Sequence, residues 1–472
     1  MSSLACSDFI LCLKIADHSK PYTDDTFHVL SENHLEIAVY SLFQGDDEDF
    51  PVANNGDDST SQFTVTQLPH KVLDGLWESL IYAERIPEAM LRIIMRMMKL
   101  SKQPHLNPAV IYWHNLVLLY GPPGSGKTTL AQALAQKLSI RLGKVYSATK
   151  LIEVNSHTLL SKWFGESSKL VGKLFETISS ISADETLLTV VIIDEVETLA
   201  GSREKAAQSN ECSDAIRSTN ELLQGLDKLR KRPNVVFICT SNLKDNMDVA
   251  FVDRCGIKQF VETPNNECAY EIFRSVINEL IKNGLVFFDA SDFQHDSILH
   301  ETLPEIPIVG DSSPMISNSS SLHVPSPSLL VRTSESYDSS LDNLLYIPEL
   351  GWVGIHLFHC TKTAPRELWR IARKASGLSG RTLRRLPILA MAKYTIEEPC
   401  DLHELLAALK TVVKEENKAK FGDEPGPNKS KEHKSNQSGF SEDELASLDH
   451  IRDLSMEGLG EELGNDQESA IM

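Results

Sequence analysis

The chain has 472 residues, 41% of them hydrophobic and 24% charged, which excludes a wholly disordered or fibrous protein and predicts two or three domains. Its net charge of −20 at pH 7 argues against a broadly basic nucleic-acid-binding surface. The eight cysteines form no CxxC pair and are too sparse for a disulfide framework, which favours a reducing compartment.

The first 60 residues are acidic and rich in polar side chains. They hold 12 acidic and 2 basic residues around one strand-like apolar stretch, Leu35–Phe43. Ser2–Asp17 lacks the basic start and the cleavage site of a signal peptide, and no apolar run in the sequence is long enough to cross a bilayer. We therefore expect a soluble intracellular protein that has no membrane partner.

A helical pattern comes first, and short apolar runs alternate with helical segments between residues 112 and 262. The pattern from Val72 to Leu100 is helical, with Leu91, Ile94 and Met98 on one face. Continuous apolar runs that are separated by helices predict a parallel sheet covered on both faces. The expected strands are Asn115–Tyr120, Leu151–Asn155, Leu188–Ile193, Val235–Cys239 and Ile257–Val261.

The last third of the chain changes in composition twice. Residues 311–340 contain 12 serines and three prolines, which predicts a disordered insertion because such a segment buries little apolar surface. Helical patterns return at Arg366–Leu386 and Leu402–Lys414, and the chain is polar and acidic beyond Phe421. These features predict a small helical domain with an internal insertion and an acidic tail.

A phosphate-binding motif directly follows the first of the expected strands, Asn115–Tyr120. The pattern G-x-x-x-x-G-K-[ST] lies between a strand and a helix, which is the context that supports the motif. Its residues are Gly121, Pro122, Pro123, Gly124, Ser125, Gly126, Lys127 and Thr128. Backbone N–H groups of such a loop, together with the helix N-terminus, bind phosphate oxygens. Lys127 can contact the β- and γ-phosphates of ATP, and the Thr128 hydroxyl can ligate Mg²⁺.

Two adjacent carboxylates end a later strand, in the sequence Val190–Glu195. Asp194 at the strand end can hold Mg²⁺, which prefers oxygen ligands. Glu195 is then placed to polarise the water that attacks the γ-phosphate. A base beside a bound water favours hydrolysis over transfer of phosphate to a second substrate, for which the sequence shows no acceptor site.

These segments, with Thr240–Asn242 after the fourth strand, resemble the AAA+ ATPases. The resemblance implies that Asn242 is the sensor 1 residue, which helps to orient the attacking water. It also implies that Arg217–Leu223, which matches the family pattern R-x-x-N-x-L-L, forms a helix near a subunit interface.

The segment Ser161–Ser167 resembles the first pore loop of AAA+ unfoldases. The resemblance implies that Trp163 projects into a central channel and grips a translocating polypeptide, with Phe164 beside it. Aromatic contacts are largely apolar and suit many sequences. The alternative is that both aromatic side chains belong to the core.

Two arginines resemble residues that respond to nucleotide in this family. Arg254, at the end of Asp248–Arg254, resembles the arginine finger that stabilises charge in a neighbouring subunit's transition state; a surface salt bridge is the alternative. Arg381, in Gly377–Arg381, matches the sensor 2 motif at the start of a lid helix.

Several segments resemble one family more narrowly, that of pachytene checkpoint protein 2, also called the thyroid receptor-interacting protein 13 family. They are Asn155–His157, Ser161–Glu166, Ser213–Arg217, Phe251–Arg254 and Gly377–Pro387. The resemblance implies a homohexamer that uses ATP to remodel HORMA-domain proteins, directly or through an adaptor, in meiotic recombination, chromosome axis and synapsis control and spindle-checkpoint signalling. It implies a location on chromosomes in the nucleus, with the cytoplasm as a second location, and no direct contact with nucleic acid.

The predicted fold is therefore α/β: an AAA+ P-loop domain with a parallel five-stranded sheet, plus a small, mostly helical lid domain. We expect a shortened substrate- or adaptor-binding region at 1–70, the large ATPase domain at 71–270 and the lid at 271–414. The lid carries a disordered serine-rich insertion at 309–345, and 415–472 forms an acidic, mostly disordered tail. Two alternatives remain open: an ATP-binding regulatory subunit without motor activity, and another AAA+ disassembly machine.

Overall fold

The computed structural model describes residues 40–45, 63–103, 105, 107, 114–156, 159, 167–201, 213–242, 247–288, 346–356, 363–396 and 398–421. Contacts within the chain divide it into two units, Met1–Glu262 and Thr263–Met472. This division falls eight residues before the predicted end of the large domain, and the predicted domain limits remain a prediction. The serine-rich insertion lies outside the described residues.

The first unit is built on a six-stranded sheet. The strand order is β1-β3-β4-β5-β2-β6, and all neighbouring strands are parallel except β1 and β3. Because β5 lies between β4 and β2, the loops after β2 and β4 meet on either side of the end of β5, where ligands bind in such sheets. The strands are β1 Phe63–Leu68, β2 Leu116–Tyr120, β3 Ala148–Asn155, β4 Leu187–Asp194, β5 Val235–Ser241 and β6 Ile257–Phe260.

Helices cover both faces of this sheet, as continuous apolar strands predict. On one face, α1 and α2 pack against alternate strand residues such as Val117, Val190 and Ile238. On the other face, α3 and α4 pack against the intervening residues, such as Val191 and Phe237. The helices of this unit are α1 Ile86–Ser101, α2 Lys127–Arg141, α3 Ser167–Ile181, α4 Ser213–Leu229 and α5 Val249–Arg254.

The start of the first unit differs from the sequence-based expectation in two respects. Strand β1 adds an antiparallel sixth strand to the five that the apolar runs predicted. The helix expected from Val72 begins only at Ile86, with Pro87 in its first turn, because proline fixes φ and suits that position. The intervening segment makes turns and a short 3-10 helix at Lys71–Leu73.

The second unit is helical around a small two-stranded ladder. Its described helices are α6 Asn266–Lys282, α7 Leu350–His356, α8 Ala364–Lys374, α9 Gly380–Tyr394 and α10 Leu402–Phe421, and its strands are β7 Val286–Phe287 and β8 Cys400–Asp401. The single helical stretch expected at Arg366–Leu386 is two helices, and α10 extends seven residues past the predicted lid boundary at 414. Gly377, with φ +83°, lies between α8 and α9 in a conformation that glycine adopts without steric cost.

Ile347 and Pro348 are hydrogen-bonded to α6 within the second unit. Asn278 donates its Nδ2–H to the carbonyl of Ile347 at 3.0 Å and accepts the Ile347 N–H at 2.9 Å. The hydroxyl of Tyr270, a fully buried residue, donates to the carbonyl of Pro348 at 2.8 Å. These bonds join α6 to the residues that lead into α7, although the partners are 69 to 78 residues apart in the sequence. Within the described residues, none of the helices has the length and apolarity needed to span a membrane.

Candidate nucleotide-binding site

The loop between β2 and α2 has the backbone shape of a phosphate-binding loop. Gly121 has φ +152°, and a Cβ at this position would lie 2.2 Å from the carbonyl oxygen of Val261. Gly126 has φ +92°, and its carbonyl accepts a 3.1 Å hydrogen bond from the Tyr82 hydroxyl. The loop therefore needs glycine at both positions, and it leads into the 15-residue helix α2, whose N-terminus attracts anions.

Lys127 lies within this loop as a buried cation. The residue is 6% exposed, and burial lowers the pKa of its ammonium group, whereas the nearby carboxylates of Glu197, Asp194 and Glu195 act in the opposite direction. Its Nζ donates to the carbonyl oxygens of Gly121 and Pro122 at 3.0 and 2.8 Å. These acceptors are neutral, so the ammonium group can exchange them for phosphate oxygens, with which it forms stronger charge-assisted bonds.

Thr128 and Asp194 bring two oxygen ligands together. The Thr128 hydroxyl donates to Asp194 Oδ1 at 2.9 Å. Two neighbouring ligands of an octahedral Mg²⁺, each about 2.1 Å from the ion, lie about 3 Å apart. The donor set and its spacing therefore fit the metal that accompanies a nucleotide triphosphate.

The end of β5 holds the end of β4 in place. Thr240, a buried residue, donates its hydroxyl hydrogen to Asp194 Oδ1 and accepts the Glu195 N–H at 3.2 Å. The Ser156 hydroxyl, beyond β3, donates to the Asp194 carbonyl oxygen. These bonds from both neighbouring strands fix the direction of the Asp194 carboxylate and the position of the next residue.

Glu195 has an unusual backbone conformation. Its φ of 52° and ψ of 49° are left-handed, which costs a residue with a side chain about 1–2 kcal/mol. The Glu195 carbonyl also accepts bonds from the N–H and the hydroxyl of Thr198, at 3.0 and 2.9 Å. The backbone at Glu195 is thus strained and held by neighbouring groups, and such strain often lies at functional sites.

Asn242 lies directly after β5, one residue beyond Ser241, whose carbonyl accepts the Gly121 N–H at 3.2 Å. Its backbone N–H donates to Glu197 Oε1 at 3.0 Å. The predicted sensor residue is thus in the same unit as the phosphate loop and next to the carboxylate-bearing turn. Its contact with water in the reaction stays a prediction.

Arg254 is hydrogen-bonded to other residues of the same chain. Its Nε and Nη2 donate to the two carboxylate oxygens of Asp227 on α4 at 3.0 and 2.8 Å, and Nη1 donates to the Ala250 carbonyl at 2.8 Å. These bonds raise the pKa of Arg254 and lower that of Asp227. The salt bridge that the sequence left as an alternative is therefore present, and a finger role would require Arg254 to release Asp227.

Arg381 is an exposed residue of the second unit, in the first turn of α9. Ser379 caps this helix by accepting the Thr382 N–H at 3.2 Å. The preceding loop is held from α10, where Lys420 Nζ donates to the Gly377 carbonyl at 2.6 Å. The helix start expected for a sensor 2 residue is present, and its contact with phosphate stays a prediction. Trp163 and Phe164 lie outside the described residues.

The sequence analysis missed three residues that complete this site. Thr240 was noticed only as part of a resemblance, whereas the structure makes its hydroxyl the link between Asp194 and Glu195. Ser156 was likewise noticed only within the segment Asn155–His157, and Glu197 was not considered. A signal existed for Thr240 and Ser156, since polar residues that directly follow or end apolar parallel strands meet at one edge of the sheet. No comparable sequence signal predicts the 3-10 turn that brings Glu197 to the Asn242 backbone.

Comparisons with known proteins agree with this geometry. The family model "ATPase family associated with various cellular activities (AAA)" matches residues 117–263, and "TRIP13-like, AAA+ ATPase lid C-terminal domain" matches residues 356–417. The solved structure of C. elegans PCH-2 is 31% identical, with a TM-score of 0.56, and the match covers 80% of this chain and 78% of that one.

Two plant proteins are among the most similar curated relatives, and both are named pachytene checkpoint protein 2 homolog. The Oryza sativa subsp. indica protein is 39% identical over 80% of this chain and 72% of its own length. The Arabidopsis thaliana protein is 41% identical over 71% of this chain and 62% of its own length. With its AAA domain and TRIP13-like lid, the chain belongs to the pachytene checkpoint protein 2 family of AAA ATPases.

Proposed function

We propose that the chain couples Mg²⁺-dependent ATP hydrolysis to the remodelling of HORMA-domain proteins. The observation that carries the hydrolytic part is the direct Thr128–Asp194 contact, 2.9 Å long, with the Glu195 carboxylate on the next residue. A metal ligand pair beside a candidate base is the arrangement that nucleotide hydrolysis requires. The HORMA substrate rests on family membership, as do the homohexamer, the adaptor and the nuclear, chromosome-associated location.

Each candidate site residue of the first unit has a distinct role in this proposal. The glycine-rich loop and Lys127 bind the β- and γ-phosphates, and Thr128 and Asp194 hold Mg²⁺. The metal, when bound, neutralises charge that develops on the phosphate oxygens. Glu195 accepts a proton from the attacking water, and Asn242 orients that water.

The remaining residues act between subunits or on substrate. Arg254 reaches the nucleotide of a neighbouring subunit after it leaves Asp227. Arg381 contacts the γ-phosphate and so couples the position of the lid to the bound nucleotide. Trp163 and Phe164 grip the polypeptide that is being remodelled. The two positively charged side chains suit the charge of a γ-phosphate.

The experiment that tests coupling measures ATPase activity of the full chain with and without a purified HORMA-domain protein, alongside the mass of the assembly. The proposal expects a hexamer whose turnover responds to the substrate. Trp163→Ala is expected to keep basal ATPase activity and lose remodelling. A monomer without turnover would instead support a regulatory subunit, and full remodelling by Trp163→Ala would exclude the pore-loop role.

A further inference from the structure

Glu197 is a carboxylate at the nucleotide site that no step above uses. It lies in the short 3-10 turn Val196–Thr198, two residues after the candidate base. Its Oε1 accepts the backbone N–H of Asn242 at 3.0 Å. Its Oε2 is buried and has no hydrogen-bond partner among the described residues. A buried carboxylate oxygen without a donor costs free energy, so this placement calls for a physical reason.

The most direct physical reason for a buried carboxylate at this position is the positive charge of Lys127 in the phosphate loop. Burial lowers the pKa of Lys127, and the Glu197 carboxylate opposes this effect more strongly than Asp194 or Glu195 does. The Lys127 ammonium group itself bonds to loop carbonyls and lies 3.5 Å from Ser125 Oγ. Glu197 thus acts on Lys127 through space, as a negative charge near the lysine of the phosphate loop.

Glu197 also joins two parts of the site that lie on different strands. Its own turn follows β4, whereas Asn242 follows β5. The bond uses the backbone of Asn242, so it fixes the position of that residue and leaves its side-chain amide available for other contacts. The Glu197 carboxylate therefore holds the Asn242 backbone by a hydrogen bond and also acts on Lys127 by its charge.

We propose that Glu197 is a positioning residue with two separable effects on the ATPase cycle. Its hydrogen bond holds Asn242 where that residue can act on the attacking water, which favours a high kcat. Its negative charge offsets that of Lys127 and weakens the attraction of the empty loop for phosphate, which favours release of ADP. The proposal rests on nucleotide binding and hydrolysis in the first unit and is independent of the HORMA substrate.

Two variants separate these effects. Glu197→Gln removes the charge but keeps an oxygen that can accept the Asn242 N–H, and Glu197→Met removes both while keeping similar length. Glu185→Gln is the matched control, because Glu185 is exposed and precedes the opposite end of β4. Binding of a fluorescent ADP analogue and steady-state ATPase kinetics are measured on the full chain, with thermal midpoints as a check of folding.

We expect both Glu197 variants to bind the ADP analogue about 3- to 10-fold more tightly than wild type, because each loses one opposing charge. We expect kcat of Glu197→Met to fall about tenfold below that of Glu197→Gln, since only the glutamine variant keeps the hydrogen bond. Glu185→Gln is expected to match wild type in both measurements.

Unchanged ADP affinity in Glu197→Gln would overturn the electrostatic effect. Equal kcat values in the two Glu197 variants would overturn the positional effect. If Glu197→Met does not fold, a comparison of Glu197→Gln with wild type still decides the electrostatic part. If the wild-type chain hydrolyses ATP but does not remodel a HORMA-domain protein, the proposed coupling is refuted, whereas the proposal for Glu197 is unaffected.

Discussion

The Thr240 hydroxyl offers a sharp test of how the site is held together. Thr240→Val keeps the shape of the side chain but removes the donor to Asp194 and the acceptor for the Glu195 N–H. A hydrogen bond to a charged group contributes about 1.5–3 kcal/mol and a neutral one about 0.5–1.5 kcal/mol. We therefore expect a loss of about 3 kcal/mol in the free energy of unfolding, which lowers the thermal midpoint by roughly 6–12 °C for a unit of this size.

The same variant should also lose activity, because the Asp194 carboxylate is no longer fixed beside Thr128. We expect a higher Mg²⁺ requirement and a kcat about tenfold lower, measured by ATPase assays over a range of Mg²⁺ concentrations at a temperature where the variant is folded. The loss of stability and the loss of activity both follow from the missing Thr240 hydroxyl, so they should appear together.

Thr189→Val is the matched control for this test. Thr189 lies in β4 and is fully buried, and its hydroxyl has no hydrogen-bond partner among the described residues. Replacing an unpaired buried hydroxyl with a methyl group removes a desolvation cost, so stability should stay equal or rise and ATPase activity should not change. If the two valine variants behaved alike, the hydrogen bonds of Thr240 would not be what orients the site.

Two further predictions concern the loop and the salt bridge. Gly121→Ala should abolish ADP binding and destabilise the chain more than Gly75→Ala, because a Cβ at 121 meets the Val261 carbonyl whereas one at 75 meets nothing within 4 Å; the latter costs only about 1–2 kcal/mol of backbone strain, and equal thermal midpoints would refute the clash. Hydrogen bonds from Arg254 lower the pKa of Asp227 below its ordinary 3.8, so the bridge stabilises the fold above pH 3.8 and this contribution is lost as pH falls through the lower folded-state pKa. Asp227→Asn should therefore cost up to about 1 kcal/mol at pH 7 and less at pH 3, measured by thermal midpoints, and a cost that grew at pH 3 would contradict this.

The parts of the molecule that were predicted from sequence share one property: their signal is local. The phosphate loop requires glycines and a lysine at fixed spacing, and the parallel strands require continuous apolar runs because both faces are buried. The comparisons with known proteins confirmed the predicted family, and the observed sheet and helices confirmed the general architecture. Asp194 and Glu195 were placed at a strand end for the same reason.

The parts that were not predicted depend on contacts between distant segments. Strand β1 has only six residues and an alternating pattern, and its place beside β3 follows from antiparallel pairing that no local signal specifies. The partner of Arg254 is 27 residues away on another helix. Glu197 contacts the Asn242 backbone because a short turn after β4 brings it to the residue that follows β5.

Periodicity did not reveal the break between α8 and α9, although the sensor 2 resemblance implied a helix start at Gly377–Arg381. Apolar residues continue at helical spacing through this region, so periodicity alone predicted one helix. Gly377 in a left-handed conformation and the Ser379 cap end one helix and start the next. Both residues are ordinary stop and start signals, and they outweigh the apolar pattern.

Hydrolysis by Glu195→Gln tests most directly whether this carboxylate is the base at a working ATPase site. The variant should bind ATP at least as tightly as wild type, because Lys127 and the glycine-rich loop are unchanged and one nearby negative charge is removed, while its turnover falls at least about 100-fold. Glu185→Gln, which removes an exposed carboxylate near the other end of the same strand, should hydrolyse ATP at the wild-type rate. Turnover of Glu195→Gln at the wild-type rate would contradict the assignment.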